Sequence, residues 1–209
     1  MKTLNEYLKY KECGREGGSD SFPEQTKWYE ELFSKAKFKN VMEIGFNVGH
    51  SANTFLKNGR FCNVTSFDLS EHTGTKYGKE YIDQRFPNRH TLIIGDSKKT
   101  VPEFAEKTDI KFDFILIDGD HSRKGQIADI LNCKKVANSN TIVVVDDVVQ
   151  NHRFRRVSWC RGAYQAWSQM KKENVVTELG CCDAEHTNYT RKGASWKQGF
   201  VWGKYVFNK

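Results

Sequence analysis

Between residues 40 and 146, short apolar runs alternate with stretches whose apolar positions recur every three or four residues. The runs are Asn40 to Ile44, Val64 to Phe67, Thr91 to Ile94, Phe112 to Ile117 and Thr141 to Val145. Their length and their β-branched and aromatic content predict strands. The intervening stretches, 51–58, 76–86, 101–107 and 124–137, carry the helical period; the last places Ile127, Ile130 and Leu131 on one face. Strand and helix alternating in this way predict right-handed crossovers and a parallel sheet.

Outside this region the pattern changes. The first 20 residues, with Gly14, Gly17, Gly18 and Ser19, read as a loose or lid-like segment. A helix is predicted from Ser21, Phe22 and Pro23, with Trp28, Leu32, Phe33 and Ala36 on its apolar face. Beyond Asp147 the sequence predicts a helix over 163–172 and two strands, Val175 to Leu179 and Gly199 to Phe207, around a turn-rich stretch from Cys181 to Lys197. At 209 residues the chain reads as one domain: an N-terminal lid and helix (1–38), a core (39–150) and a C-terminal segment (151–209).

Each strand-like run delivers an acid within it or just beyond its end: Glu43, Asp68, Asp96, Asp118 and Asp146. Open α/β sheets bind ligands beyond the downstream ends of their strands, so a row of carboxylates there predicts a polar ligand, a cation, or both.

Charge adds a second asymmetry. The net charge of +7 arises wholly in residues 151–209, which hold 11 Lys or Arg against 4 Asp or Glu. Four of five tryptophans, Trp159, Trp167, Trp196 and Trp202, lie there too. Two readings stand: a surface for an anionic or planar partner, nucleic acid included, or ordinary core tryptophans beside solvated charges. The six cysteines show no CxxC pair or zinc spacing and read as free thiols. Residues 1–15 lack an apolar signal core and no run approaches membrane-spanning length, so the expectation is a cytoplasmic protein without a membrane partner.

The first strand-to-helix turn reads Glu43-Ile44-Gly45-Phe46-Asn47-Val48-Gly49-His50-Ser51. Glycines let the backbone turn tightly, and the helix that follows offers free N–H groups. The turn is neither a dinucleotide fingerprint nor a P-loop, because Asn47 replaces the middle glycine and no Gly-Lys-Ser/Thr follows. Asp68 lies 23 residues after Gly45, where a carboxylate can accept from both hydroxyls of a ribose. Gly95-Asp96-Ser97 supplies polar groups for an adenine edge. Together these indicate an adenosine-containing ligand.

These motifs, with Ile117-Asp118-Gly119-Asp120-His121-Ser122 and Asp146-Asp147, resemble the class I S-adenosylmethionine-dependent methyltransferases, and within them a cation-dependent small-molecule O-methyltransferase branch. The similarity spans roughly 40–150. It implies a Rossmann-like, doubly wound α/β fold with a mostly parallel seven-stranded sheet and an antiparallel last strand. By this resemblance Glu43, Gly45, Phe46, Asn47, Gly49 and Ser51 surround the methionine part of S-adenosylmethionine, Asp68 holds the ribose, Asp96 and Ser97 flank the adenine, and Asp118 borders the cofactor.

The resemblance also implies metal ligation by Asp118, Asp146 and Asp147, and the oxygen donors suit Mg²⁺. The opposing reading has Asp118 on the cofactor, Asp146 capping the next segment and no metal. His121 is a candidate base, an additional ligand or a loop anchor, and His152 is equally ambiguous. The implied activity is methyl transfer to a hydroxyl of a sugar, phenol or nucleotide, with Asp118, His121 and Asp146 at the chemistry. Arg153, Arg155, Arg156 and Arg161, with Trp159 and Tyr164, are the candidate acceptor contacts. Two rivals are a catalytically silent cofactor- and nucleic-acid-binding module and a metal-dependent hydroxylase-like enzyme on the same scaffold.

Overall fold

A computed structural model describes residues 3–13, 22–150, 158–186 and 196–207. The element order is α1 (Leu4–Tyr10), α2 (Pro23–Lys35), β1 (Asn40–Ile44), α3 (His50–Asn58), β2 (Asn63–Asp68), α4 (Thr75–Arg85), β3 (His90–Ile94), α5 (Ser97–Glu106), β4 (Phe114–Ile117), α6 (Arg123–Lys134), β5 (Ile142–Asp146), α7 (Ser158–Lys172), β6 (Val176–His186) and β7 (Trp196–Tyr205). Seven strands form one mixed sheet in the order β3-β2-β1-β4-β5-β7-β6, the Rossmann-like architecture implied by the strand–helix alternation. No helix among the described residues is long and apolar enough to cross a membrane.

The chain divides into two compact units, Met1–Phe112 and Asp113–Lys209. In the first, β1 pairs in parallel with β2, and β2 with β3. Val41, Met42, Ile44, Val64 and Phe67 are buried on these strands. Helix α2 starts at Pro23, whose fixed φ suits a first turn, and buries Tyr29 and Phe33. Phe33 stacks on Phe55 of α3 at 4.6 Å, and Tyr29 meets the same ring edge-on at 5.1 Å. Each such buried aromatic contributes roughly 2 kcal/mol through area removed from water.

The N-terminal segment differs from its expectation. Residues 4–10 form a helix with a reciprocal capping box, Glu6 N–H to Thr3 Oγ1 at 3.2 Å and Thr3 N–H to Glu6 Oε2 at 2.6 Å. Leu4 and Leu8 are buried, and Tyr7 packs 5.5 Å from Tyr81 of α4. The glycine-rich stretch 14–21 lies outside the described residues.

In the second unit β4 pairs in parallel with β5, and β7 runs antiparallel to both β5 and β6. The antiparallel last strand is as expected. Strands β6 and β7 extend to His186 and from Trp196, so much of the stretch expected to be turns is hairpin. Trp167 on α7 is a core residue at 1% exposure, and its indole N–H donates to Glu178 Oε2 at 2.7 Å. All six cysteines are free.

Candidate active site

In the first unit the β1-to-α3 turn is shaped by backbone conformation. Gly45 and Gly49 sit at φ 94° and 87°, and Asn47 at φ 49°, values that a β-branched residue would resist. Gly49 is the N-cap of α3, which has no side-chain cap and no acid in its first turn. The first N–H groups of that helix are therefore presented to an incoming anion.

Asp68, at the end of β2, holds this turn. Its Oδ2 accepts from the Phe46 and Asn47 amides at 2.8 Å each, and its Oδ1 from the Ser70 amide at 2.5 Å. A carboxylate has about four acceptor positions, so roughly one remains. The sequence reading gave Asp68 both hydroxyls of a ribose; with these loop bonds intact it has room for one.

Glu43 points into the core and is fully buried. Its carboxylate accepts from Ser51 Oγ at 2.5 Å and Ser66 Oγ at 2.6 Å, and Ser66 Oγ lies 2.8 Å from His90 Nε2. Burial raises the Glu43 carboxyl to about 7, against the two serine bonds that lower it, with the Asp68 charge adding to the rise. Burial, with the Lys79 charge, lowers His90 to about 4. Glu43 thus meets the turn through the Ser51 hydroxyl and the core through Ser66.

Asp96 and Ser97 are the N-cap and first residue of α5, which begins four residues before its predicted start. Asp96 Oδ1 accepts the Lys98 amide at 3.0 Å. The apolar residues Leu69 and Ile94, 56% and 52% exposed, follow or end the same two strands, where Asp68 and Ile94 are in register.

In the second unit, strand register aligns Ile117 with Val145 and so brings Asp118 and Asp146 to neighbouring strand ends. Oxygen or nitrogen atoms of Asp118, His121 and Asp147 lie within 4.8 Å of one another. Asp146 instead turns its Oδ1 to the Asp147 amide at 2.9 Å. His121 Nδ1 is 2.8 Å from Asp147 Oδ2, an ion-pair distance. Asp147 chiefly raises the His121 pKa, burial opposes it, and the Asp146 and Asp120 charges add to the rise. Two carboxylates and an imidazole nitrogen are a donor set suited to a divalent ion.

Local packing fixes this group. Ser122 caps α6 through the Gly125 amide at 3.0 Å, and Asp120 Oδ1 accepts the Ser122 amide at 2.9 Å. Gly162 of α7 approaches so closely that an added Cβ would lie 2.1 Å from the His121 carbonyl oxygen. Cys160, near Asp146 and Asp147, is pushed up to about 12, mainly by burial, and is not a thiolate near neutral pH.

His152 and, of the candidate acceptor contacts, Arg153, Arg155, Arg156 and the Trp159 side chain lie outside the described residues. Arg161 is exposed and Tyr164 half-buried. Sequence reasoning missed Ser66, His90, Leu69 and Ile94. Ser66 follows Thr65 in β2, and nothing in the sequence marks it or the other three.

Turn, strand-end acids and sheet order together define a Rossmann-like α/β fold with an added acid–histidine group. Residues 42–148, just over half the chain, match the methyltransferase domain family, and the chain belongs to that family. It is similar in fold to an O-methyltransferase from Bacillus cereus in complex with SAH (TM-score 0.73, 18% identity, 96% of this chain and 90% of that one). It is also similar to cofactor-bound Rv0187 from MTB (TM-score 0.75, 18% identity, 98% and 88%) and to SAH-bound PaMTH1 from Podospora anserina (TM-score 0.68, 16% identity, 98% and 88%). A search of curated proteins found no match.

Proposed function

We propose that the protein is an S-adenosylmethionine-dependent O-methyltransferase acting on a hydroxyl of a small molecule, with a divalent cation assisting. The observation that carries the reading is the first unit's turn: an uncapped α3, two glycines at positive φ and a strand-end carboxylate that fixes the loop amides. Family membership supports it, and so do the SAH-bound structures of similar fold.

The residues fit the cofactor. The start of α3 and Ser51 suit its amino-acid end, and the open acceptor position of Asp68 suits one ribose hydroxyl. Exposed Leu69 and Ile94 offer an apolar surface to a planar base, with Asp96 and Ser97 at its polar edge. When bound, S-adenosylmethionine supplies the electrophilic methyl group.

In the second unit Asp118, Asp147 and His121 would hold the cation, with Asp146 fixing the backbone at Asp147. A bound divalent ion supplies positive charge that favours the ionised form of a hydroxyl. The imidazole nitrogen admits a borderline ion such as Mn²⁺ alongside the Mg²⁺ that the acids alone suggested. As a ligand His121 would have to be neutral, so the proton of the acceptor hydroxyl would leave to solvent.

Incubation with labelled S-adenosylmethionine and a panel of catechols, sugars and nucleotides, with EDTA, Mg²⁺ or Mn²⁺, tests the reading. Methyl transfer to at least one hydroxyl, lost with EDTA and restored by a metal, is the expected result. Cofactor binding without transfer to any acceptor would leave a binding module instead.

A further inference from the structure

Ser51 occupies the second position of α3, whose first turn has neither a side-chain cap nor an acid. A serine hydroxyl has one proton to donate. Ser51 gives it to Glu43 Oε2 at 2.5 Å, so towards an approaching ligand its oxygen can only accept. A carboxylate arriving at the helix end would meet oxygen with oxygen.

The rest of the network blocks other rearrangements. Ser66 donates to Glu43 Oε1 and lies 2.8 Å from His90 Nε2. His90 is buried, and its Nδ1 has no hydrogen-bond partner among the described residues. A bare lone pair at Nδ1 costs less than an orphaned N–H, so the network assigns the ring proton to Nε2. That proton points at the Ser66 oxygen and commits the Ser66 hydroxyl to Glu43. A proton added to Glu43 therefore belongs on Oε2, from which it can donate to Ser51 Oγ and release the Ser51 proton towards a ligand.

We propose that Glu43 is a proton-linked positioning residue: it takes up one proton when an anionic group of the ligand docks at the start of α3, and so turns the Ser51 hydroxyl from acceptor to donor. The inference rests on the reading that this turn binds S-adenosylmethionine, whose amino-acid end carries a carboxylate. The proton comes from solvent and resides on Glu43 Oε2, and no covalent bond to the ligand forms or breaks. Burial already brings the Glu43 carboxyl to about 7, so the uptake is inexpensive near neutral pH. The titratable groups acting on this network in the first unit are Asp68 from β2 and His90 from β3, with Lys79 and Asp83 acting on His90.

Calorimetry with S-adenosylmethionine at about pH 8, in two buffers of different ionisation enthalpy, reads the protons taken up on binding. Wild type takes up close to one proton more than Glu43→Gln, whose amide mimics the protonated acid. The ligand's own amino group, titrating near ~8, contributes equally to both. At about pH 6 the difference falls towards zero, because Glu43 already holds its proton. Ser51→Ala loses the same uptake with Glu43 in place, which keeps the test intact if the glutamine variant does not fold. Equal uptake by wild type and the folded variants overturns this proposal alone. Failure of wild type to bind S-adenosylmethionine at all overturns the cofactor reading, and this proposal with it.

Discussion

At the scale of single residues, two carboxylates have different work. Asp68 is an organiser of backbone, and Asn in its place keeps one oxygen for the Phe46 and Asn47 amides but turns an NH₂ against the Ser70 amide. Asp68→Asn should cost on the order of 1–3 kcal/mol in urea unfolding and weaken cofactor binding, because a donor then faces a donor. Asp147 acts on His121. With Asp147 as the largest cause of the raised His121 pKa, Asp147→Asn should bring the ring's titration midpoint down in a metal-free NMR titration. The sign follows from the pair: its contribution is full below the ordinary histidine value and is lost as pH rises through the elevated folded one. An unchanged midpoint would show that the 2.8 Å contact carries no charge coupling.

At the scale of elements, two helices are held by missing side chains. Gly78 sits inside α4, where alanine would ordinarily gain about 1 kcal/mol of helix propensity. Its added Cβ would lie 2.1 Å from the Val48 carbonyl oxygen in the glycine turn, and a backbone atom cannot move aside cheaply. Gly78→Ala should therefore lower the melting temperature and cofactor affinity together. Gly162→Ala should likewise shift the His121 loop and reduce metal affinity, measured by Mn²⁺ titration, while leaving cofactor affinity nearly intact. Neither contact was legible beforehand, because it depends on which turn a helix crosses. The strands were legible: β1 runs from Asn40 to Ile44 as the apolar pattern predicts, and the acids at the ends of β2 and β5 follow from it. Helix α1 was not, since its seven residues are too few to show a period and its stability comes from a capping box and two buried leucines. Asp118, Asp146 and Asp147 were read together with His121 as a further candidate ligand; Asp118, His121 and Asp147 are the three that come within 4.8 Å, and Asp147 sits at φ 58°, which no local pattern displays.

For the molecule as a whole, the pH dependence of unfolding carries the signature of the buried Glu43–Ser66–His90 chain. Glu43 has a folded pKa of about 7 against an ordinary value of 4.5, so the folded state binds more protons between these values. Its contribution to stability is full below 4.5 and falls as pH rises towards 7. His90 runs the other way. Its folded value of about 4 lies below the ordinary 6.5, so the unfolded state binds more protons, and stability is lost as pH falls from 6.5 to 4. Each group alone is worth on the order of 3 kcal/mol across its window, and the windows overlap with opposite slopes. Wild-type unfolding free energy from urea titrations should consequently be nearly flat between about pH 4.5 and 6.5 as far as these two groups are concerned. Glu43→Gln should unmask the histidine, so that stability climbs with pH by up to about 1.4 kcal/mol per unit, and His90→Gln should unmask the glutamate and make it fall. Because Ser66 joins the two groups, the double variant should not equal the sum of the singles, and strict additivity would show that the hydroxyl passes no information between them.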